Sequence, residues 1–153
     1  MNENNFKALV VRKKNSSFLY EIEERQIKDL PPGDLLIKVE YSNINFKDLM
    51  SCQGNPSITR KYPHTPGIDA VGEVVESNSS DFKEGDKIIV TGYDLGMNTY
   101  GGFGQYISIP ASWAISLPDE LSEAEAMSIG TAGLTAGLCV RTVSYTHLRA
   151  HET

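Results

Sequence analysis

Asn45 and Asp48 stand three residues apart in Tyr41-Ser-Asn-Ile-Asn-Phe-Lys-Asp48, and Asp69 closes the run Tyr62-Pro-His-Thr-Pro-Gly-Ile-Asp69. These are the side chains whose types and spacing point to chemistry. Asn-x-x-Asp is the pattern of a helix start, where a side-chain oxygen accepts the orphan amide hydrogens of the first turn. The same residues also make a polar cluster facing a pocket, and the residues alone leave both readings open. Asp69 follows a Pro-Gly turn and leads into Ala70-Val-Gly-Glu-Val-Val-Glu-Ser77, which has the composition of a buried strand. A carboxylate carried into a core needs a partner, because burying it unpaired is costly. Lys47 is the candidate partner.

Other chemistries find little support. His64 sits between two prolines and reads as a loop residue. The remaining histidines, His147 and His151, share an HxxxH spacing that on a helix would suggest a metal site, but the segment that holds them reads as non-native for a reason given below. No Ser-His-Asp or Cys-His set can be assembled, and neither GxGxxG nor a Walker loop is present. Gly101-Gly-Phe-Gly104 is too short for a phosphate loop and reads as a turn. Arg60 and Lys61 read as solvated loop charges, with a phosphate at a pocket rim as the other reading.

The elements that must position these residues are mostly strands. Phe6–Arg12, Phe18–Glu24, Leu35–Tyr41, Ala70–Glu76, Lys87–Val90, Phe103–Pro110 and Trp113–Leu117 are each short and bounded by turn residues. In the third, Leu35, Ile37, Val39 and Tyr41 alternate with Leu36, Lys38, Glu40 and Ser42, the period of a half-buried strand. Asn45–Cys52 reads as a short helix ended by Gly54-Asn-Pro56. Such a series favours a small β-barrel or sandwich. The character changes at Ser122-Glu-Ala-Glu125, which has the spacing of a capping box. Glu123–Val140 then reads as one helix, a break near Gly130, and a second helix.

Composition narrows the partners. The 153 residues carry 20 acidic and 14 basic side chains, a formal charge of -6, which argues against a general nucleic-acid or anionic-membrane binder. Cys52 and Cys139 belong to no CxxC pair and read as reduced, cytoplasmic thiols. No N-terminal signal pattern or long apolar run is evident, so neither secretion nor membrane spanning is expected. Val143-Ser-Tyr-Thr-His-Leu-Arg-Ala-His-Glu-Thr153 continues neither pattern and matches one translated frame of a common transposon-based sequencing adapter. Residues 142–153 are therefore expected to be a non-native tail, and no metal site is read from His147 and His151.

Taken in order, Phe6-Lys-Ala-Leu-Val-Val11, Tyr41–Asp48, Tyr62–Ser77, Phe82-Lys-Glu-Gly-Asp-Lys-Ile-Ile-Val-Thr-Gly92, Gly101-Gly-Phe103 and Ala126-Met-Ser-Ile-Gly-Thr-Ala-Gly-Leu-Thr-Ala136 resemble the medium-chain dehydrogenase/reductase superfamily. Within it they are most similar to the zinc-independent quinone oxidoreductase branch of YhdH/YhfP type, which includes acrylyl-CoA reductase. The resemblance covers about residues 6–140. It implies a mainly β fold: a GroES-like β-barrel with short helices over residues 1–120, then the first helices of a truncated Rossmann domain over residues 121–141.

The resemblance also implies a function. A nicotinamide cofactor, NADPH, would deliver hydride to an activated alkene such as an enoyl thioester, or to a quinone. Asn45 and Asp48 would be catalytic; Asn45, Phe46 and Thr131 would border the cofactor; Lys47 and Asp69 would organise the pocket. Zinc-dependent relatives place a cysteine at the position of Asn45 and a His-Glu pair at Ile68-Asp69, so no metal is expected. The chain stops before a cofactor-binding glycine loop, so the parent protein is expected to be the active form, a cytoplasmic homodimer without nucleic-acid or membrane partners. The alternative is a GroES-like binding or assembly module without catalysis.

Overall fold

The computed structural model describes residues 4–150, with side chains as far as residue 143. Its strands are β1 (Asn5–Lys14), β2 (Ser17–Gln26), β3 (Leu35–Tyr41), β4 (Asp69–Ser77), β5 (Lys87–Thr91), β6 (Tyr106–Ile109) and β7 (Ile115–Ser116). Helix α1 covers Phe46–Cys52 and α2 covers Glu123–Ala150. Of the tail 142–153 expected to be non-native, residues 144–153, with His147 and His151, lie outside the residues whose side chains are described.

β1 and β2 form an antiparallel hairpin, and the other strands form a five-stranded antiparallel sheet in the order β6-β3-β4-β5-β7. The hairpin turns at Asn15, whose φ of 58° an asparagine tolerates better than most residues. Isolated bridges join Ala8 to Gly104 and Val11 to His64, so β1 closes against the sheet's loops. The mainly β architecture expected of the chain is therefore present.

The core follows from strand alternation. Leu35, Ile37, Ala70, Val74, Ile88, Val90, Ile107 and Ile109 are fully enclosed on one face, together with Leu95 from a loop. Val71 and Ile89 face the other way and pack against Ala126 and Met127 of α2. β4 thus buries both faces, which is why its sequence reads as a nearly continuous apolar run. Tyr41 breaks the alternation expected of β3: it is 51% exposed. The β3–β4 register shifts between Val39 and Tyr41, and a bulge of that kind turns the following side chains off the core face.

Gly101-Gly102 has a clearer purpose than a turn. The amides of Gly101, Gly102 and Phe103 donate to the carbonyls of Thr65, Gly67 and Pro66 at 2.8, 2.9 and 3.0 Å. A Cβ on Gly67, where φ is 109°, would come within 2.6 Å of the Gly102 nitrogen. Glycine lets the two backbones touch, and that contact holds the segment leading into Asp69.

The capping box at the start of α2 forms as expected: Ser122 N–H donates to Glu125 Oε2 at 2.9 Å and Glu125 N–H donates back to Ser122 Oγ at 3.3 Å. The break is at Gly130, with φ 48° and ψ -160°. By length and composition alone, Glu123–Val143 would pass for a membrane-spanning helix, which the reading of no long apolar run did not anticipate. Gly130 interrupts it, and Ala126 and Met127 are packed on the sheet.

Candidate functional site

The site gathers where β3 ends, α1 begins, β4 begins and α2 breaks. Asn45 is the residue before α1, with extended backbone angles (φ -118°, ψ 161°). Asn43 and Asn45 are half-buried and hydrogen-bonded to each other, whereas Ile44 between them is 85% exposed. Ser42 Oγ donates to the backbone carbonyl of Asp69 at 2.6 Å, which clamps this segment to the start of β4.

Asp48 is 1% exposed and is a brace. Its Oδ2 accepts the Asn45 amide at 2.7 Å, and its Oδ1 accepts the Gly67 and Ile68 amides at 3.0 Å each. The carboxylate thus both closes the first turn of α1 and anchors the loop that carries Asp69. Burial raises its pKa above the ordinary aspartate value; the three amides pull it back down, and the charge of Asp69 adds to the rise.

Asp69 is fully buried, and its partner is not Lys47. Asp69 Oδ2 accepts from Asn45 Nδ2 and from the Thr131 amide, each at 2.9 Å, while Oδ1 accepts from Thr131 Oγ1 at 2.5 Å. Lys47 is exposed on α1. The reason is geometric: α1 buries Asp48 and Ser51, and Lys47 lies on its solvent side. Hydrogen-bond donors satisfy the buried carboxylate without an opposite charge.

Asn43 completes the network and was not legible as a site residue. Its Nδ2 donates to the Met127 carbonyl at 3.0 Å and its Oδ1 accepts from Asn45 Nδ2 at 2.7 Å. The signal in the sequence was the Asn-x-Asn alternation at the end of a strand. Gly130 is the other missed member: a Cβ there would lie 1.9 Å from Asn43 Nδ2 and 2.9 Å from Asp69 Oδ2. The positive φ at Gly130 lets the chain reverse so that Thr131 N–H meets Asp69.

The structure therefore brings Asn45, Asp48, Asp69 and Thr131 together. Phe46 borders them as a 74% exposed ring. With Ile44 it leaves apolar surface on both sides of the Asn45 amide in sequence. Arg60 and Lys61 are exposed. His64 lies between the named strands and helices, as a loop residue, and is buried there: its Nε2 pairs with the Gly96 carbonyl at 2.8 Å, and its backbone pairs with Val11. Burial lowers its pKa, opposed by the Gly96 carbonyl. Among the described residues, no three His, Cys, Asp or Glu side chains form a cluster able to hold a metal ion.

Comparison with known proteins agrees with this architecture. The profile of the alcohol dehydrogenase GroES-like domain matches residues 31–119. Acrylyl-CoA reductase AcuI of Ruegeria pomeroyi is 41% identical over 137 residues, covering 88% of this chain and 42% of that protein. The crystal structure of Bacillus subtilis yhfP with NAD bound superposes with a TM-score of 0.89 at 42% identity, over 94% of this chain and 44% of that one. The Salmonella enterica yhdH oxidoreductase in complex with NADP gives a TM-score of 0.87 at 35% identity, over 90% and 43%. The chain thus spans under half the length of the relatives it matches.

Proposed function

Because this chain belongs to the alcohol dehydrogenase GroES-like domain family, we propose that it forms the substrate-side part of a zinc-independent, NADPH-dependent oxidoreductase. Residues 1–120 form the GroES-like domain and residues 121–141 begin the cofactor domain, with residues 142–153 a non-native tail. The substrate is an activated alkene of the enoyl-thioester type, as in the AcuI relative, or a quinone. The full-length protein is cytoplasmic and homodimeric, and needs neither nucleic acid nor a membrane.

The observation that carries this reading is the Asn45–Asp69–Thr131 network, which ties the β-domain to the helix after Gly130. The residues fit a nicotinamide: Asn45 is a half-buried amide, and Phe46 is an exposed ring beside it. Asn45 and Phe46 would border the cofactor's ring. Thr131 N–H and Oγ1–H are already engaged by Asp69, so Thr131 meets a ligand only through hydroxyl lone pairs or its methyl group. When bound, the cofactor supplies the hydride.

The chain's own residues do the positioning. Asp48 holds the Asn45 backbone and the Gly67-Ile68 turn, and Asp69 holds Asn45 against Thr131. Each carboxylate accepts three hydrogen bonds, which suits a structural role better than proton shuttling. The same contacts weigh against zinc: each Asp69 oxygen faces N–H or O–H hydrogens, and the group opposite it is an amide NH2 with no lone pair to offer. Electrophilic help must then come from hydrogen bonds and the cofactor's own charge.

Single-turnover hydride transfer in the full-length enzyme tests this reading. Asn45→Ala is expected to slow the step at least ten-fold. An unchanged rate removes Asn45 from the reaction.

A further inference from the structure

We propose that Asn43 and Asp69 are positioning residues that lock the Asn45 amide with both of its N–H bonds turned inward, so that Asn45 meets a ligand only as a hydrogen-bond acceptor. The substrate or cofactor group that it recognises is then a donor, an amide N–H or a hydroxyl. The inference deepens the reading above and rests on it for the identity of the ligand, but the orientation of the amide does not.

The assignment follows from acceptors that cannot be exchanged. The Met127 carbonyl only accepts, so Asn43 must face it with Nδ2, at 3.0 Å. Asn43 Oδ1 is thereby fixed toward Asn45 at 2.7 Å. Asp69 Oδ2 also accepts, taking the Thr131 amide and Asn45 Nδ2 at 2.9 Å each. Flipping Asn45 would set its oxygen against two acceptors at once, losing two hydrogen bonds and adding repulsion. An amide NH2 has two hydrogens. One goes to Asn43 and the other to Asp69, which leaves Oδ1; one of its two lone pairs faces the Asp48 amide in the capping box of α1, and the other is open to a ligand.

The consequence is chemical. Asn45 cannot donate to a developing enolate or quinone oxygen without first breaking one of these bonds. An oxyanion donor for the reaction must therefore come from another group. Asn45 instead selects the orientation of a ligand that offers it an N–H or O–H.

The test reads the amide directly. In 15N-labelled chain without any ligand, both Asn45 Nδ2 protons are expected to exchange with water at least ten-fold more slowly than side-chain amides on the surface. Asn43→Ala should release one of them, and Asp69→Asn should abolish the single fixed orientation, each speeding exchange about ten-fold. Surface-like exchange of both protons in the unsubstituted chain overturns the proposal, whatever the enzyme's activity. Should Asp69→Asn fail to fold, Asn43→Ala carries the same test. In the full-length enzyme, Asn43→Ala is expected to lower kcat, and to add nothing further in an Asn45→Ala background. Full additivity would show that Asn43 does not act through Asn45, and would overturn its positioning role.

Discussion

Replacing Gly130 by alanine strikes the point on which the whole network turns. Gly130 has φ 48° and ψ -160°, a conformation that costs a residue with a Cβ about 1–3 kcal/mol. The new methyl would stand 1.9 Å from Asn43 Nδ2 and 2.9 Å from Asp69 Oδ2, well inside contact distance. The Asn43 amide must move, and it then gives up its bonds to the Met127 carbonyl and to Asn45 Nδ2, at roughly 1 kcal/mol each. The sum is a loss of about 4 kcal/mol, large against a typical domain stability of about 5–15 kcal/mol. With a urea slope near 2 kcal/mol/M the unfolding midpoint should fall by about 2 M, followed by the fluorescence of Trp113, the chain's single tryptophan. Gly137→Ala is the control. It sits in α2 with nothing within 4 Å of a Cβ, and should gain about 0.5–1 kcal/mol of stability from helix propensity. Asn43→Ala removes the group that the new methyl strikes, so the double variant Asn43→Ala/Gly130→Ala should cost less than the sum of its singles. A loss under about 1 kcal/mol for Gly130→Ala, or strict additivity in the double, would refute this account of the kink.

Asp48→Ala strips the acceptor from the amides of Asn45, Gly67 and Ile68 and is expected to lower stability by about 3 kcal/mol, read by urea titration. His64 contributes a pH dependence of definite sign. Burial lowers its folded-state pKa, so the unfolded chain takes up the proton first; its contribution is present above about pH 6.5, the unfolded value, and is lost as pH falls through the folded one. The slope reaches about 1.4 kcal/mol per pH unit between the two values, and His64→Gln should flatten it in melting curves from pH 7 to 5. Asp48 has the opposite sign, its raised pKa favouring the fold in acid, so the difference between wild type and His64→Gln isolates the histidine. Cys139 is exposed, while Cys52 is partly buried with its thiol pKa raised by burial and by Asp48; iodoacetamide labelling read by mass spectrometry should modify Cys139 at least ten-fold faster.

Strand order along the chain, the short helix after Asn45, the capping box at Ser122 and the interruption near Gly130 were all legible in the sequence. Each depends on neighbours close in the chain: alternation, a turn residue, a cap three positions from its partner. Asp69 could also be recognised as a buried carboxylate in need of company. What the local pattern could not supply was the company. Lys47 was the one lysine or arginine in the two motifs, yet the partners are Asn45 and Thr131, 24 and 62 residues away, and α1 turns Lys47 to solvent. Asn43 gained its role only because Met127 presents a carbonyl to it across the fold. The burial of His64 in its loop follows from contacts with Gly96 and Val11, distant in sequence. Residue type and spacing determine which groups must be satisfied when buried, because that is a property of the chain's own chemistry. Which donor satisfies which acceptor depends on distances across the packed sheet and helices, and those exist only once the tertiary structure has formed.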